Sequence, residues 1–193
     1  MQSIVVFCGS STGHGDTYIG AARQLGRVLA QRGIKLVYGG GKVGLMGALA
    51  QSCLDAGGEV LGIIPDFLMQ KEIAHKNLSH LLVTGSMHER KLKMFEHADA
   101  IMALPGGYGT LEELLEMMTW AQLGLHQKPI GVLNIAGFYN ELIKMFDVMV
   151  AKGFLRPENR ELLQVDETTD GLLHHLENYV PNLVPKWIGK DHI

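Results

Sequence analysis

Short apolar runs alternate with longer amphipathic stretches along most of this 193-residue chain. Most runs are continuously apolar rather than alternating apolar and polar, which is the pattern of parallel strands covered by helices on both faces. The stretches between them have helical periodicity, so each run together with the stretch that follows it predicts a βα unit. The predicted strands are 4–8, 35–38, 60–64, 81–84, 100–104 and 129–133, followed by a short strand at 163–165 and a helix at 168–179.

This alternation predicts an α/β fold with a Rossmann-like, doubly wound parallel sheet in a three-layer α/β/α sandwich, because crossovers between parallel strands are right-handed. The length suits one domain, and no repeat or linker interrupts the pattern. We therefore predict a single nucleotide-binding domain over 1–180 and a C-terminal tail over 181–193. The longest irregular segment, 66–80, exceeds the usual length of a connection in such folds, and long loops of this kind are often functional.

The loops that follow the strands are the places to look for a site, since open α/β sheets bind ligands beyond the carboxyl ends of their strands. Four of these loops are unusual in composition: 9–13, 39–44, 85–91 and 105–113. Three of them are rich in glycine or hydroxyl residues, which suit hydrogen bonds to phosphate or sugar.

The segment 105–113, with the sequence PGGYGTLEE, joins a predicted strand to a predicted helix. Three glycines in four residues free the backbone to turn its N–H groups toward an anion, and the positive end of a helix follows at once. This combination predicts a phosphate cradle, with the carboxylates of Glu112 and Glu113 close to whatever the phosphate is attached to. The same residues also fit a capping box with Thr110 as N-cap and Glu113 at N3, and the segment alone leaves both interpretations open.

Gly39, Gly41 and Gly44 formally satisfy the glycine pattern of dinucleotide-binding folds, with Glu59 twenty residues further on. The fit is poor, because the glycines follow the second strand rather than the first and Glu59 would open the next strand. A P-loop fails as well, since Val43 stands where a Ser or Thr would hold Mg²⁺.

The sequence from Ser86 to Glu89 fits a capping box, so a helix is expected to begin there with Arg90 and Lys91 in its first turn. A lone basic side chain would often just extend past the edge of the core. Two cations at the carboxyl edge of the sheet, next to the glycine-rich loop if sequential strands are neighbours, instead favour contact with a phosphate or a leaving group.

The helix after Thr110 is apolar on more than one side. Met117, Trp120 and Leu123 lie away from the expected sheet face, and a helix that is apolar nearly all round is buried from two sides. This predicts a homodimer with Trp120 at or near the contact and Glu113 where a cleft meets it. The face expected to meet the sheet consists of Leu111, Leu114, Leu115, Met118 and Ala121.

Composition narrows the possible partners. A net charge of −3 and a pI near 6.3 give no basic footprint, so no nucleic-acid partner is expected.

Cys8 and Cys53 fall in predicted core elements, and such cysteines are usually packed free thiols in a reducing compartment. Neither a signal peptide nor an 18-residue apolar stretch is present, so we expect a cytoplasmic protein without a membrane partner. The nine histidines show no zinc-type spacing, and no metal is predicted.

The run GGGKVGLMG at 39–47 and the run PGGYGTLEE at 105–113 together closely resemble the paired motifs of the LONELY GUY family. These proteins are cytokinin riboside 5′-monophosphate phosphoribohydrolases, long mislabelled as lysine decarboxylases. The resemblance extends from about residue 4 to residue 155. It implies a Rossmann-like dimer, without metal or organic cofactor, that hydrolyses a nucleoside 5′-monophosphate to a free base and ribose 5-phosphate.

By this resemblance Arg90 and Glu113 match the family's catalytic pair. Substrate-contacting positions match Glu72, Lys91, Gly107, Tyr108, Gly109, Thr110, Leu111, Glu112 and Thr119. Breaking the C1′–N9 bond builds positive charge on the ribose, which suits the carboxylate of Glu113, while the contact of Arg90 with phosphate or leaving base stays open.

One neighbourhood departs from the plant members of the family: Gln70 and Lys71 precede Glu72, where those members have Pro-Arg. AMP, an N6-prenylated AMP, or both therefore remain candidate substrates. Two other classes stay open, namely a non-catalytic nucleotide or molybdenum-cofactor carrier on the same fold and an NAD(P)-dependent oxidoreductase. The joint presence of Arg90 and Glu113 favours the enzyme over the carrier.

Overall fold

The structure is a computed structural model that describes residues 1–69, 75 and 78–181. Within these ranges, strands alternate with helices as the hydrophobic pattern predicts. The strands are β1 Ser3–Phe7, β2 Lys35–Tyr38, β3 Val60–Pro65, β4 His80–Thr84, β5 Ala100–Ala103, β6 Ile130–Leu133 and β7 Leu163–Asp166. The helices are α1 Thr17–Gln31, α2 Gly44–Asp55, α3 Asp66–Met69, α4 Met87–Glu96, α5 Tyr108–Gln122, α6 Asn140–Ala151, α7 Pro157–Arg160 and α8 Thr169–Glu177, with a 3₁₀ turn at Ile135–Gly137.

The seven strands of the described chain form one parallel sheet in the order β4-β3-β2-β1-β5-β6-β7. In the central strand, Val5 pairs with Val37 of β2 on one side and with Ile101 of β5 on the other. The chain winds outward from β1 to β4 and then returns to place β5 beside β1, which creates a switch point between β1 and β5. The predicted doubly wound α/β fold is confirmed.

Two buried apolar clusters cover the two faces of the sheet. Ile4 and Val6 of β1 belong to the cluster packed by α1, α2 and α8, whereas Val5 and Phe7 belong to the cluster packed by α4, α5 and α6. The alternation of side chains along a strand therefore sends apolar residues into both layers, and the continuous apolar pattern of the strands follows. The result is the predicted three-layer sandwich.

The start of α5 differs from the prediction. The N-cap is Gly107, with no side-chain hydrogen bond to cap the helix, and Thr110 lies inside the helix, only 4% exposed. The capping-box interpretation of Thr110 and Glu113 is therefore wrong, because the extended backbone of Gly107 starts the helix earlier. The cap predicted for α4 is confirmed, since the hydroxyl of Ser86 accepts from the N–H of Glu89 at 3.1 Å.

The buried face of α5 is also rotated from the predicted one. Leu114 and Met117 are buried in the core, whereas Leu115, expected to face the sheet, is 39% exposed. Trp120 is half-buried against the ring of Phe95 in α4, with 5.4 Å between ring centroids. The second apolar side of α5 is thus covered by α4 of the same chain. Its apolar residues therefore do not require a second copy, and the homodimer stays a prediction.

None of the helices in the described ranges is long and apolar enough to cross a membrane.

Candidate active site

Glu113 lies in the second turn of α5, and its side chain is only 12% exposed. Burial raises the pKa of this carboxyl to about 7. The positive charges of Arg90 and Lys91 oppose that shift, while the carboxylates of Glu112 and Glu116 add to it. Glu113 can therefore gain or lose a proton close to neutral pH, as groups at functional sites often do.

Arg90 lies in the first turn of α4 and is held in one orientation by three protein groups. Its Nε donates to the carbonyl of Ile63 at 3.0 Å, its Nη2 donates to the carbonyl of Gly39 at 3.2 Å, and its Nη1 donates to Oε1 of Glu113 at 3.3 Å. The two carbonyls belong to β3 and to the residue after β2, so the carboxyl edge of the sheet fixes the guanidinium. Each guanidinium nitrogen already makes a hydrogen bond within the protein, which argues for a role in orienting Glu113.

This arrangement also explains two glycines of the 39–44 loop. A Cβ on Gly39 would lie 2.0 Å from Nη2 of Arg90, so glycine makes room for the guanidinium. Gly44 has a φ of +63°, and a Cβ there would lie 2.2 Å from the backbone of Ser10 in the loop after β1. Packing against the guanidinium and the β1 loop accounts for these glycines without a dinucleotide.

The neighbourhood of α4 and α5 was predicted correctly, but for the wrong reason. β4 is an edge strand, and β3, β2 and β1 lie between it and β5. The connection from β4 to β5 must cross the sheet, and α4 packs on β3 during that crossing. The crossing brings Arg90 and Lys91 beside α5.

Lys91 is buried to 8% exposure next to the Arg90–Glu113 pair. Its Nζ donates to Oε1 of Glu112 at 2.5 Å and to Oε1 of Glu116 at 3.0 Å. Burial alone would lower the pKa of Lys91, but the hydrogen bonds and charges of the two carboxylates raise it overall. Glu116 was not among the site residues predicted from the sequence. Its position three residues after Glu113 on the same helix places both side chains on one side of α5.

A cavity of about 270 Å³ lies at the switch point between β1 and β5. The loops after the two strands meet there, with the N–H of Gly9 donating to the carbonyl of Pro105 at 3.1 Å. The residues lining it are Gly9, Ser10, Ser11, Thr12, Gly13, Tyr18, Leu45, Pro105, Gly106, Gly107 and Phe138.

The predicted phosphate cradle borders this cavity at the N-terminus of α5. A Cβ on Gly107 or on Gly109 would meet no atom within 4 Å, whereas one on Gly106 would lie 2.1 Å from Oγ1 of Thr110. Gly106 is thus required by packing, and the other two glycines face open space. No side chain caps the helix, so backbone N–H groups at its start are accessible to an anion.

Three of the remaining predicted site residues lie along α5. Leu111 is half-buried and Tyr108 is 94% exposed, both at the start of α5. Thr119 is exposed on the same helix, six residues beyond Glu113, which corresponds to about 9 Å along the axis and a third of a turn around it. The structure therefore does not bring Thr119 together with Glu113 within one chain. Glu72 lies outside the described residues.

No group of three or more His, Cys, Asp or Glu side chains in the described part of the chain is arranged to hold a metal ion.

The fold and the buried Arg–Glu pair define a Rossmann-like protein with its candidate site beside the switch point of the sheet. A family model described as "Possible lysine decarboxylase" matches residues 46–176, more than half of the chain. Cytokinin riboside 5′-monophosphate phosphoribohydrolase LOG3 of Arabidopsis thaliana is 49% identical over 93% of this chain and 84% of its own. A probable enzyme of the same name from rice, Oryza sativa subsp. japonica, LOGL1, is 50% identical over 91% of this chain and 79% of its own. The chain belongs to this family of cytokinin riboside 5′-monophosphate phosphoribohydrolases.

Solved structures with lower identity share the fold. The molybdenum cofactor binding protein of Rippkaea orientalis superposes with a TM-score of 0.70 at 22% identity, covering 92% of this chain and 96% of that one. The molybdenum cofactor carrier protein of Chlamydomonas reinhardtii gives a TM-score of 0.69 at 21% identity, covering 91% of this chain and 94% of that one. At these identities the likeness concerns the fold alone.

Proposed function

We propose that this protein is a phosphoribohydrolase that cleaves the N-glycosidic bond of cytokinin riboside 5′-monophosphates, AMP or both, to give the free base and ribose 5-phosphate. The observation that carries the proposal is that Glu113, buried and paired with Arg90 of α4, lies on α5, whose uncapped N-terminus faces open space. The family membership of the chain supports the same reaction.

The chemistry assigns the central role to Glu113. Breaking the bond between C1′ and N9 leaves positive charge on the ribose, and a carboxylate in a nearly water-free position stabilises that charge strongly. In its ionised form Glu113 stabilises the cationic ribose and orients the attacking water. Arg90 holds the carboxylate in place at 3.3 Å, and its own position is fixed by backbone carbonyls.

The spacing along α5 suits a nucleotide. Glu113 follows Tyr108, the first residue of the helix, by five positions, or about 7.5 Å along the axis. This length is comparable with that of a ribose 5-phosphate. A phosphate bound by the N–H groups at the start of the helix would bring C1′ close to the carboxylate, and binding energy from the phosphate would position the reacting bond.

A homodimer completes the proposal. Thr119, a substrate-contacting position in the resemblance, lies too far around α5 to reach the site of its own chain. The outward face of α5 also exposes Tyr108 and Leu115, at 94% and 39%. We propose that a second copy packs on this face and that each copy contributes Thr119 to the other's site.

Hydrolysis is tested by incubating the protein with AMP, isopentenyl-AMP and adenosine and measuring free base by chromatography. We expect base release from the monophosphates and release at least about 10²-fold slower from adenosine, because the phosphate supplies the positioning energy. Glu113→Gln should lower kcat by roughly 10²-fold. Binding of monophosphates or molybdenum cofactor without any base release would instead support the carrier.

The phosphate cradle is tested by Gly107→Asp, with Gly20→Asp as the matched control. Aspartate at the N-cap should stabilise α5 by about 0.5–1 kcal/mol while its charge repels the phosphate, so KM for AMP should rise. Gly20 also faces open space, but lies in α1, and its substitution should leave KM unchanged. An unchanged KM in Gly107→Asp would place the phosphate elsewhere.

The dimer is tested by mixing two variants, Glu113→Gln and Thr119→Arg, each inactive by itself. If Thr119 serves the partner's site, a mixed dimer holds one site with both residues intact, and activity returns on mixing. If each site takes both residues from one chain, the mixture stays inactive. Light scattering on each variant checks that the dimer forms, and Leu115→Glu should shift it toward monomer.

A further inference from the structure

Five charged side chains meet where α4 packs against α5. Arg90 and Lys91 come from α4, and Glu112, Glu113 and Glu116 come from α5. The cluster carries three negative and two positive charges when all its members are ionised. Glu116 stands out, because its Oε1 binds Lys91 at 3.0 Å while its Oε2 is buried with no hydrogen-bond partner among the described residues.

The two carboxylates that bind Lys91 are not equivalent. The side chain of Glu112 is 57% exposed, so water and salt screen most of its charge. Glu116 is only 25% exposed, so water screens its charge less and its attraction to Lys91 passes mainly through protein. A buried ammonium needs a partner that stays in place, since an unpaired charge inside a protein is strongly disfavoured. Glu116 is the partner that meets this need.

We propose that Glu116 is a positioning residue of the active site, which through Lys91 holds α4 against α5 and so keeps Arg90 opposite Glu113 while neutralising the ammonium beside that carboxylate. The proposal rests on the proposed function only in taking Glu113 as the reacting carboxylate. Lys91 is then part of the scaffold of the site, and the phosphate is bound by the N–H groups at the N-terminus of α5.

The charges that face Glu113 come from two elements, and one further titratable group, Cys8, lies nearby. From α4, Arg90 and Lys91 lower its pKa; from α5, Glu112 and Glu116 raise it. Cys8, the residue after β1, stays a neutral thiol because burial raises its pKa. Removing the charge of Glu116 takes away one repulsion and leaves Lys91 less compensated, and both effects favour the ionised form of Glu113. The acid limb of the pH profile should therefore move to lower pH.

The test compares Glu116→Gln with Glu112→Gln as the matched control. In wild type the acid limb of kcat/KM for AMP should reflect Glu113, near pH 7. In Glu116→Gln it should shift down by about half a pH unit or more, and kcat on the plateau should fall several-fold because Arg90 is less well held. Glu112→Gln also removes a charge that raises the pKa of Glu113, so its limb should move down as well. Its plateau kcat should stay close to that of wild type, because Glu116 still pairs with Lys91. The phosphate of AMP titrates alike in all variants, so a difference between them belongs to the protein.

Lys91→Met supplies a second variant with the opposite sign, since removing the cation should move the limb to higher pH. Carboxyl-detected NMR of Glu113 follows the same pKa without any turnover. If wild-type protein releases no base, the proposed function fails while the NMR titration still decides this inference. An unchanged titration in Glu116→Gln, or an equal fall of the plateau kcat in Glu112→Gln, would overturn it.

Discussion

Replacing Glu113 by glutamine should stabilise the protein at pH 8 while abolishing most of its activity. The pKa of Glu113 is about 7 in the fold against 4.5 for an ordinary glutamate. Each pKa unit corresponds to about 1.4 kcal/mol, so ionising this buried carboxyl lowers the folding stability by about 3 kcal/mol at pH 8. The side chain is 12% exposed, so solvent screening reduces this figure only slightly.

The direction with pH follows from proton binding. The folded protein holds the proton of Glu113 more tightly than the unfolded chain does, so this group's contribution to stability is complete below pH 4.5 and is lost as the pH rises through about 7. Glutamine does not titrate and keeps that stability. Wild type and variant should therefore be equally stable near pH 4 and differ by about 2–3 kcal/mol at pH 8, with the variant more stable.

The measurement is urea unfolding followed by circular dichroism at pH 4, 6 and 8. All samples need the same protein concentration, because unfolding of the proposed dimer depends on it. Glu112→Gln is the control, since its side chain is 57% exposed and the substitution should change stability little at any of these pH values. A stability difference between wild type and Glu113→Gln that does not grow with pH would refute the reasoning.

Three further substitutions test the packing around the site. Gly106→Ala would place a Cβ 2.1 Å from Oγ1 of Thr110, so it should lower stability by about 1–3 kcal/mol; a thermal midpoint equal to that of wild type would contradict this. Ser86→Ala removes the side-chain cap of α4 and should lower the free energy of unfolding in urea by about 1 kcal/mol; an unchanged value would show that the cap does not stabilise the helix. Tyr139→Phe removes a buried hydrogen bond of 2.6 Å to the carbonyl of Leu104, and a loss of about 1–2 kcal/mol is expected by the same assay, with a neutral result counting against it.

The strands were predictable because their burial on two faces leaves a local signal. β2 has the predicted bounds, 35–38, and β5 differs by one residue. The start of α5 was not predictable in the same way, since Thr110 and Glu113 satisfy a local capping pattern. The helix instead begins after Gly107, whose extended backbone is its N-cap, and a glycine cap leaves no side-chain signal in the sequence.

The arrangement of the candidate site also depends on contacts between elements that are distant in sequence. Resemblance to a family supplied Arg90 and Glu113, but no local pattern says that three strands separate β4 from β5. The rule that sequential strands are neighbours correctly predicted that α4 lies beside α5, but β4 and β5 are not adjacent strands. Glu116 escaped notice because an acidic residue on a helix is usually a solvated one, and only the crossing of α4 buries it beside Lys91.

The hydrogen bonds of Arg90 have a consequence for when activity can first appear. They join residues separated by 51 positions for Gly39, 27 for Ile63 and 23 for Glu113. Contacts of this range require loops to close first and so form late in folding. A chain that ends before Glu113 cannot complete this set, and a partly folded chain in which β2, β3, α4 and α5 have not come together lacks it as well. The proposed cleavage of nucleotides therefore depends on folding that has already joined these elements, and no short segment of the chain can hold the guanidinium by itself.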